Sequence, residues 1–314
     1  MDHRARLVTH AAATIRAGSK SFAAASRLFD RATRERVWLL YAWCRRCDDL
    51  IDGQDLGGAM RDQASVTQRM EEVRERTARA FSGIETGDPA FDCLAMVARE
   101  TGLTPAMADD VLAGFALDAT GWQPRNETDL MRYCWHVAGA VGVMMAVVMG
   151  VDPDDAETLE RAGDLGMAFQ LANIARDLAE DNAAQRCYLP AEWLAEADIP
   201  PGEELKPPYR NALAVMARRL CRIATAHECS ARIGARRLRV RQRWAILAAA
   251  GIYGEIARIV TRRGAAAWDR RAVVDKKRKL WWIARSAVQA FLPAMPGLYH
   301  GARLRRYSRR DFTA

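Results

Sequence analysis

With 314 residues, half of them hydrophobic, the chain is long enough to bury the core of one large domain or two ordinary ones. Abundant alanine and arginine and short runs of β-branched residues favour an all-α fold, while the net charge of +8 suits a nucleic acid, a membrane surface or an anionic substrate. The longest apolar run, Val137–Val151, falls short of the roughly 20 residues that span a bilayer, and Glu255 and Arg258 interrupt the second, Trp244–Val260, which argues against a transmembrane protein.

The cysteines point to a reducing compartment. Seven cysteines cannot all pair within one chain, and no signal peptide is recognisable. Cys44 and Cys47 form a C-x-x-C inside a predicted helix without a second cysteine pair or a βαβ context, so we interpret them as structural. The histidines lack metal-binding spacing, and Ser-His-Asp and dinucleotide-binding signatures are absent.

Taken in chain order, the first polar cluster is a short segment next to Gly18. It resembles a phosphate-binding P-loop only superficially, because the Gly-Lys-Ser/Thr order is missing. The segment places two hydroxyl groups, an ammonium group and an aromatic ring together at Ser19, Lys20, Ser21 and Phe22. A simple helix break is the alternative interpretation.

A first acidic stripe follows in the predicted helix Glu35–Asp52. Steps of four, three and four residues keep one helical face together, whereas Asp49 is rotated off it. That face carries Tyr41, Arg45, Asp48 and Asp52. Arg45 is expected either to grip a phosphate or to form an ordinary ion pair with Asp48.

The middle of the chain offers little chemistry. Helices are predicted over 61–81 and, split near Gly102 and Pro105, over 90–117. Tyr133–Gly150 reads as an apolar helix whose small residues at 138, 139 and 142 allow either close helix packing or an adjacent cavity. Tyr133 is its one candidate polar contact to a substrate.

A second acidic stripe lies in the predicted helix Phe169–Asp181. Gln170, Asp177 and Asp181 share one face, with Asn173 beside it. Like charges four residues apart repel unless a cation lies between them, and two such faces would suit magnesium holding a diphosphate. The alternative is solvated surface charge, which becomes less plausible when two stripes occur together.

The C-terminal part is predicted as helices over 210–231 and 235–263, the second carrying Tyr253, followed by a basic tail from about residue 270. The cations of the tail are Arg270, Arg271, Lys276, Lys277, Arg278, Lys279, Arg303, Arg305, Arg306, Arg309 and Arg310.

Five segments together resemble the squalene/phytoene synthase family, and among its members the bacterial enzymes that make phytoene. They are SKSF (19–22), YAWCRRCDDLID (41–52), YCWHVAGAVG (133–142), QLANIARDLAED (170–181) and RCYLP (186–190). The resemblance implies one all-α domain over 1–314, an isoprenoid-synthase helical bundle around a central apolar cavity, with the two aspartate helices facing each other at its mouth.

The resemblance also implies a magnesium-dependent prenyltransferase, with manganese as an alternative metal, that condenses two geranylgeranyl diphosphates to phytoene through a cyclopropyl intermediate. It implies catalytic roles for Tyr41, Arg45, Asp48, Asp52, Asp177 and Asp181. The implied metal ligands are Asp48, Asp52, Asn173, Asp177 and Asp181. The implied substrate contacts are Ser19, Lys20, Ser21, Phe22, Tyr133, Gln170, Arg176, Tyr253 and Arg271.

Other functions stay open on the sequence. Within the family, farnesyl diphosphate would give squalene or dehydrosqualene. A basic nucleic-acid-binding helical protein is disfavoured, because the cations lack aromatic interleaving or a known module, and we expect no nucleic-acid partner. Two intact aspartate stripes oppose a membrane scaffold with a decayed site. We expect a cytoplasmic protein whose first helix, Met1–Ile15, belongs to the mature chain, with an anionic membrane surface as a further partner.

Substrate length is the last expectation. Only small residues occupy positions 23–25, and Ser26 is predicted one helical turn beyond Phe22, where an open space would admit a C20 chain. The alternative is that Ser26 packs against a neighbouring helix.

Overall fold

The computed structural model describes residues 2–52, 66–119 and 121–291, apart from the side chains of Lys20, Ser21, Ala24, Asp52 and Ala119. Within these ranges the chain forms thirteen α-helices and no strand, which confirms the all-α prediction. The glycine-rich polar stretch Gly53–Gly58, which predicts a loop after the first acidic stripe, and the arginines from 303 to 310 lie outside the described residues.

One compact unit comprises the described residues within 1–120 and 143–159. Its helices are α1 (His3–Gly18), α2 (Lys20–Ala25), α3 (Arg31–Asp52), α4 (Val66–Phe81), α5 (Pro89–Glu100) and α6 (Pro105–Ala119). Helices α1, α3 and α5 pack on one another, and α4 packs on α3, α5 and α6. In α1, Leu7, Ala11 and Ile15 recur every fourth residue and are all buried, so a single apolar stripe faces this core.

Ion pairs join three helices of this unit. Arg4 on α1 donates to Glu35 on α3 at 2.6 Å and to Glu100 on α5 at 2.5 Å. Burial acts to raise the pKa of Glu35, but hydrogen bonds from Arg31 and Arg4 outweigh it and hold that pKa below its usual value. The pairs therefore fix the helix register with both glutamates ionised.

The other unit comprises the described residues within 121–142 and from 160 onward, so the division falls inside α8 and α9. Helices first appearing here are α7 (Glu127–Cys134), α8 (Ala140–Val148), α9 (Ala156–Ala183), α10 (Ala191–Glu196), α11 (Arg210–Gly234), α12 (Val240–Arg263) and α13 (Lys276–Phe291). Helix α12 packs against both α11 and α13. The prediction of one domain over the whole chain stays a prediction.

A π-helical turn, Trp135–Gly139, joins α7 to α8, so the predicted apolar helix is not uniform. A Cβ added at Gly142 would clash with the carbonyl oxygen of Ala162, and one added at Gly166 would clash with that of Ala138. The backbones touch at this crossing, so the small residues serve close packing, one of the two predicted alternatives.

Two helical stretches, Glu127–Val148 and Val240–Ala266, are long and apolar enough to span a membrane by length and composition alone. In their most apolar windows, 67% and 50% of the residues are buried inside the protein, as in ordinary core helices. They overlap the two apolar segments considered in the sequence analysis, Val137–Val151 and Trp244–Val260. They are weak evidence for a membrane span.

Candidate active site

In the first unit, the predicted face of α3 is built around Arg45. Its Nη1 donates to Asp48 Oδ2 at 3.0 Å, and its Nη2 donates to Asp49 Oδ1. Asp49 is only 6% exposed, whereas Asp48 keeps 42% of its side chain exposed. Asp49, which helical periodicity places off the predicted face, thus holds Arg45 in position. The Asp48 carboxylate remains accessible. The Asp52 side chain lies outside the described residues.

The turn between α1 and α2 lies against the same face. Ser19 Oγ accepts the backbone N–H of Phe22 at 3.3 Å, and the Phe22 ring meets the Tyr41 ring edge to face, with centroids 5.6 Å apart. Burial raises the pKa of the Tyr41 phenol above its usual value, so the phenol is neutral at physiological pH. An aromatic pair therefore adjoins Arg45 and Asp48. The side chains of Lys20 and Ser21 are not among those that the structure describes.

Ser26 does not border an open space. Its side chain is fully buried in a short 3₁₀ turn, Ser26–Leu28, where Oγ accepts the indole N–H of Trp38 at 2.9 Å and donates to the Ala23 carbonyl. The expectation of room for a longer chain at this position is therefore wrong, and the packing alternative is observed. Trp38 fills the space, which short-range sequence patterns do not reveal.

In the second unit, Asp177 lies at a kink in α9. Its backbone angles, φ −98° and ψ 15°, are not helical. Arg176 donates to both carboxylate oxygens, through Nε to Oδ1 at 2.7 Å and through Nη2 to Oδ2, and Arg271 Nε donates to Oδ1 at 2.9 Å. Burial acts to raise the pKa of Asp177, but these hydrogen bonds outweigh it and hold that pKa below its usual value. The carboxylate is ionised and flanked by two guanidinium groups.

Trp268 supports this kink and was missed by the sequence reasoning. Its indole Nε1 donates to the carbonyl oxygen of Ala175 at 3.0 Å, two residues before Asp177. Three residues later in the chain, Arg271 reaches Asp177 itself and lies 3.5 Å from Glu180. The segment 268–271 therefore anchors both the backbone and the carboxylate of the motif. A single tryptophan between Ala267 and Asp269 belongs to no local pattern that predicts this role.

Asn173, one turn before Asp177, has an unusual environment. Its Oδ1 atom is buried and accepts no hydrogen bond. A buried amide oxygen without a donor costs free energy, and oxygen atoms are the ligands that magnesium prefers. The oxygen therefore fits a cation.

The other residues of the second stripe are close by in sequence. Gln170 and Asp181 are half-buried on α9, and the Asp181 carbonyl accepts the N–H of Arg186 at 2.8 Å. The RCYLP segment thus folds back onto the end of the motif. In the described part of the chain, no group of three or more histidine, cysteine, aspartate or glutamate residues forms a metal site by itself. The predicted ligands, including Asn173, are oxygen atoms next to arginines, a set suited to a metal shared with an anion.

Two predicted substrate contacts lie in aromatic stacks. The Tyr253 ring on α12 stacks on Phe169, with centroids 4.0 Å apart, directly before Gln170. The Tyr133 ring is buried between the rings of Trp122 and Tyr188, at 5.6 and 4.9 Å. Tyr253 thus brings an aromatic surface beside the motif on α9, whereas Tyr133 is part of the core.

This all-helical fold with its aspartate-bearing helices is that of the isoprenoid synthases. A dehydrosqualene synthase structure superposes with a TM-score of 0.80 and 26% identity over 91% of this chain and 97% of that one. Squalene synthase HpnC from Alicyclobacillus acidocaldarius shares the fold, with a TM-score of 0.71 at 21% identity over 82% of this chain and 94% of that one.

Sequence comparison defines the family within that fold. The squalene/phytoene synthase model matches residues 15–278. The phytoene synthase of Pseudescherichia vulneris is 47% identical over 93% of this chain and 91% of its own, and the 15-cis-phytoene synthase of Pantoea ananas is 44% identical over 92% and 94%. The chain belongs to the squalene/phytoene synthase family, which confirms the resemblance and the predicted enzyme class, a prenyltransferase.

Proposed function

We propose that the protein condenses two molecules of geranylgeranyl diphosphate head to head, forming phytoene and releasing two diphosphates and two protons. The observation that carries the proposal is the 44–47% identity, over most of the chain, to relatives named phytoene synthase. The geometry on α3 and α9 supports it, because both helices present aspartates next to guanidinium groups.

The second unit contributes oxygen ligands and cations. Asn173 Oδ1 and the carboxylates of Asp177 and Asp181 would hold magnesium, or manganese, together with a diphosphate. The metal would supply Lewis-acid stabilisation of the leaving group. Arg176 and Arg271, already directed at Asp177, place two further positive charges where the departing diphosphate gains negative charge.

The first unit contributes equivalent groups. Asp48 and Asp52 would bind metal, and Arg45, fixed by buried Asp49, would orient a phosphate group. Ser19, Lys20 and Ser21 would donate further hydrogen bonds. The rings of Phe22 and Tyr41 offer π faces to an allylic cation, and the neutral phenol of Tyr41 adds no competing charge.

The reaction has two ionisations. Loss of the first diphosphate gives an allyl cation that alkylates a double bond of the second substrate, and loss of a proton then closes the cyclopropane ring of a cyclopropylcarbinyl diphosphate. Loss of the second diphosphate, rearrangement and loss of a proton yield the C40 triene. Apolar and aromatic surfaces such as the Phe169–Tyr253 stack exclude water, which would otherwise trap the cation.

The test is incubation of the protein with labelled C20 diphosphate and magnesium, followed by product analysis. We expect a C40 hydrocarbon, no product after chelation of the metal, and recovery when magnesium is restored. A labelled alcohol as the sole product, or unchanged turnover with a chelator present, would contradict the proposal.

A second candidate is dehydrosqualene formation from farnesyl diphosphate, favoured by the structural likeness to a dehydrosqualene synthase. The same assay with labelled C15 diphosphate distinguishes the two. If C15 substrate is consumed faster than C20 substrate at equal concentration, the second candidate is correct.

We also propose that the protein works at an anionic membrane surface facing the cytoplasm. The proposed substrate and product are both lipid-soluble, and the net charge of +8 favours binding to anionic headgroups. Fractionation of native cells, with and without a high-salt wash, tests this location.

Replacing Trp268 with phenylalanine is expected to lower kcat/KM about tenfold, by a loss on the order of 1.4 kcal/mol in positioning Asp177. The variant keeps an aromatic ring but loses the hydrogen bond to Ala175. It should also raise the magnesium concentration needed for half-saturation, measured by titration calorimetry with inorganic diphosphate.

Trp244 provides the matched control, because its indole donates to the Ile283 carbonyl at 2.9 Å, a bond of the same kind between α12 and α13. Trp244→Phe should lower the free energy of unfolding by about 1 kcal/mol, as the loss of the same kind of hydrogen bond does in Trp268→Phe. Its kinetics and metal binding should stay at the wild-type level. Equal kinetic effects in both variants would show that Trp268 acts only through general stability.

A further inference from the structure

Helix α13 exposes a continuous apolar stripe. Leu280, Ala284, Val288 and Phe291 follow one another at steps of four, four and three residues, which places them within one narrow face. Leu280 is 65%, Val288 59% and Phe291 68% exposed, and Trp281 beside them is 43% exposed. Large apolar side chains on one helical face, left in contact with water, mark an interaction surface.

The opposite face of α13 is firmly packed. Trp282, Ser286 and Ala290 are buried, and a Cβ at Gly251 on α12 would clash with the Trp282 ring. Trp282 Nε1 donates to Glu255 at 3.2 Å. The helix is therefore held in one orientation, and its apolar stripe is a constant feature of the surface.

Positive charge flanks the stripe. Lys276, Lys277 and Arg285 are exposed, Lys279 is half-exposed, and none of the four has a carboxylate partner in the described part of the chain. The guanidinium of Arg285 lies over the exposed Trp281 ring at 5.3 Å. Helix α13 contains no aspartate or glutamate.

We propose that α13 is a membrane-docking helix, with the stripe of Leu280, Ala284, Val288 and Phe291 inserted at the acyl boundary of an anionic bilayer. A helix of this kind lies in the plane of the interface, with its apolar face down and its cations among the lipid phosphates. The proposal rests on the proposed function only in that lipid substrates and products give the enzyme a reason to work there.

The charge pattern indicates whether a second copy of α13 or a bilayer covers the apolar stripe. In a symmetric pair of these helices, the cations of one copy would face those of the other across a narrow apolar contact, and like charges at close range disfavour that pairing. A bilayer with anionic lipid offers both an apolar layer and phosphates at the required depth. The sequence beyond Phe291 continues with Leu292, Met295, Leu298 and Tyr299, then arginines, which is the same combination.

Flotation of the full-length protein with vesicles of phosphatidylcholine plus phosphatidylglycerol tests the proposal. The apolar variant carries Leu280→Ser, Val288→Ser and Phe291→Ser, and the charge variant carries Lys276→Gln, Lys277→Gln and Arg285→Gln. The control variant carries Ile84→Ser and Val215→Ser, at positions 54% and 62% exposed elsewhere in the chain.

We expect wild type and control to float with anionic vesicles and to remain unbound with pure phosphatidylcholine. The apolar variant should bind at least about tenfold more weakly, and the charge variant about fivefold more weakly for each cation removed, with the latter difference vanishing at high salt. Turnover of substrate in detergent micelles should be equal in all four proteins, so a failure of the proposed enzyme activity would be seen separately.

Flotation of the apolar variant at the wild-type level would overturn the proposal, as would failure of the wild type to float. Sedimentation identifies the competing occupant: a wild-type dimer that the apolar variant converts to a monomer would make the stripe a protein interface instead.

Discussion

Replacing Asp177 with alanine is expected to reduce turnover of geranylgeranyl diphosphate by about a thousandfold or more, while helical content stays at the wild-type level. The substitution removes the ionised carboxylate at the kink of α9 and leaves Arg176 and Arg271 without their shared acceptor. Two arginines without an anion between them repel each other, so the phosphate-binding geometry is lost as well. Circular dichroism and product formation at saturating magnesium measure the two quantities.

Asp48→Ala should cause a loss of the same order, because the half-exposed Asp48 carboxylate is the proposed metal ligand on α3. Asp154→Ala, at an exposed aspartate in the loop before α9, is the matched control and should be fully active. Wild-type turnover in either active-site variant would disprove the metal assignment.

Asn173→Leu is expected to separate activity from stability. Leucine has nearly the shape of asparagine and removes a buried Oδ1 that accepts no hydrogen bond, so the free energy of unfolding should be unchanged or higher. Turnover should nevertheless fall about a hundredfold or more, because the substitution removes a proposed oxygen ligand of the metal. Thermal unfolding of the metal-free protein and kinetics at several magnesium concentrations provide the measurements.

At Asn126 we expect a loss of stability without a loss of activity. Its side chain accepts the N–H of Asp129 at 2.9 Å and caps α7. Asn126→Leu should lower stability by about 1 kcal/mol and leave turnover unchanged. If Asn173→Leu instead lost stability and kept its activity, the buried oxygen would have a structural role that a metal does not explain.

Helical periodicity explains why much of this site is readable in the sequence. A repeat of 3.6 residues brings side chains three and four apart onto one face, whatever the rest of the chain does. The grouping of Tyr41, Arg45 and Asp48 and the neighbourhood of Asn173 and Asp177 follow from that rule. The all-α class follows from composition, and the family from five short segments, because these are also local properties.

Long-range packing explains what the sequence did not show. Trp268 holds the carbonyl of Ala175 from 93 positions away, and Trp38 fills the space beside Ser26 from a different helix. Neither partner is visible in a pattern of nearby residues. The expectation of a roomy tunnel at Ser26 was wrong for this reason, whereas the aspartate stripes depended on no distant partner.

By itself, the sequence determined the helical class and the family, and it indicated the residue types proposed to carry the chemistry, because all three depend on neighbours within a few turns. Only the tertiary structure decided that Asp49 is the buried support of Arg45, that α9 bends at Asp177, and that Gly142 serves close packing rather than a cavity. It also decided which face of α13 is covered by α12 and which meets the solvent. Burial depends on residues far apart in the chain, and one helix cannot specify which of its faces another helix will cover.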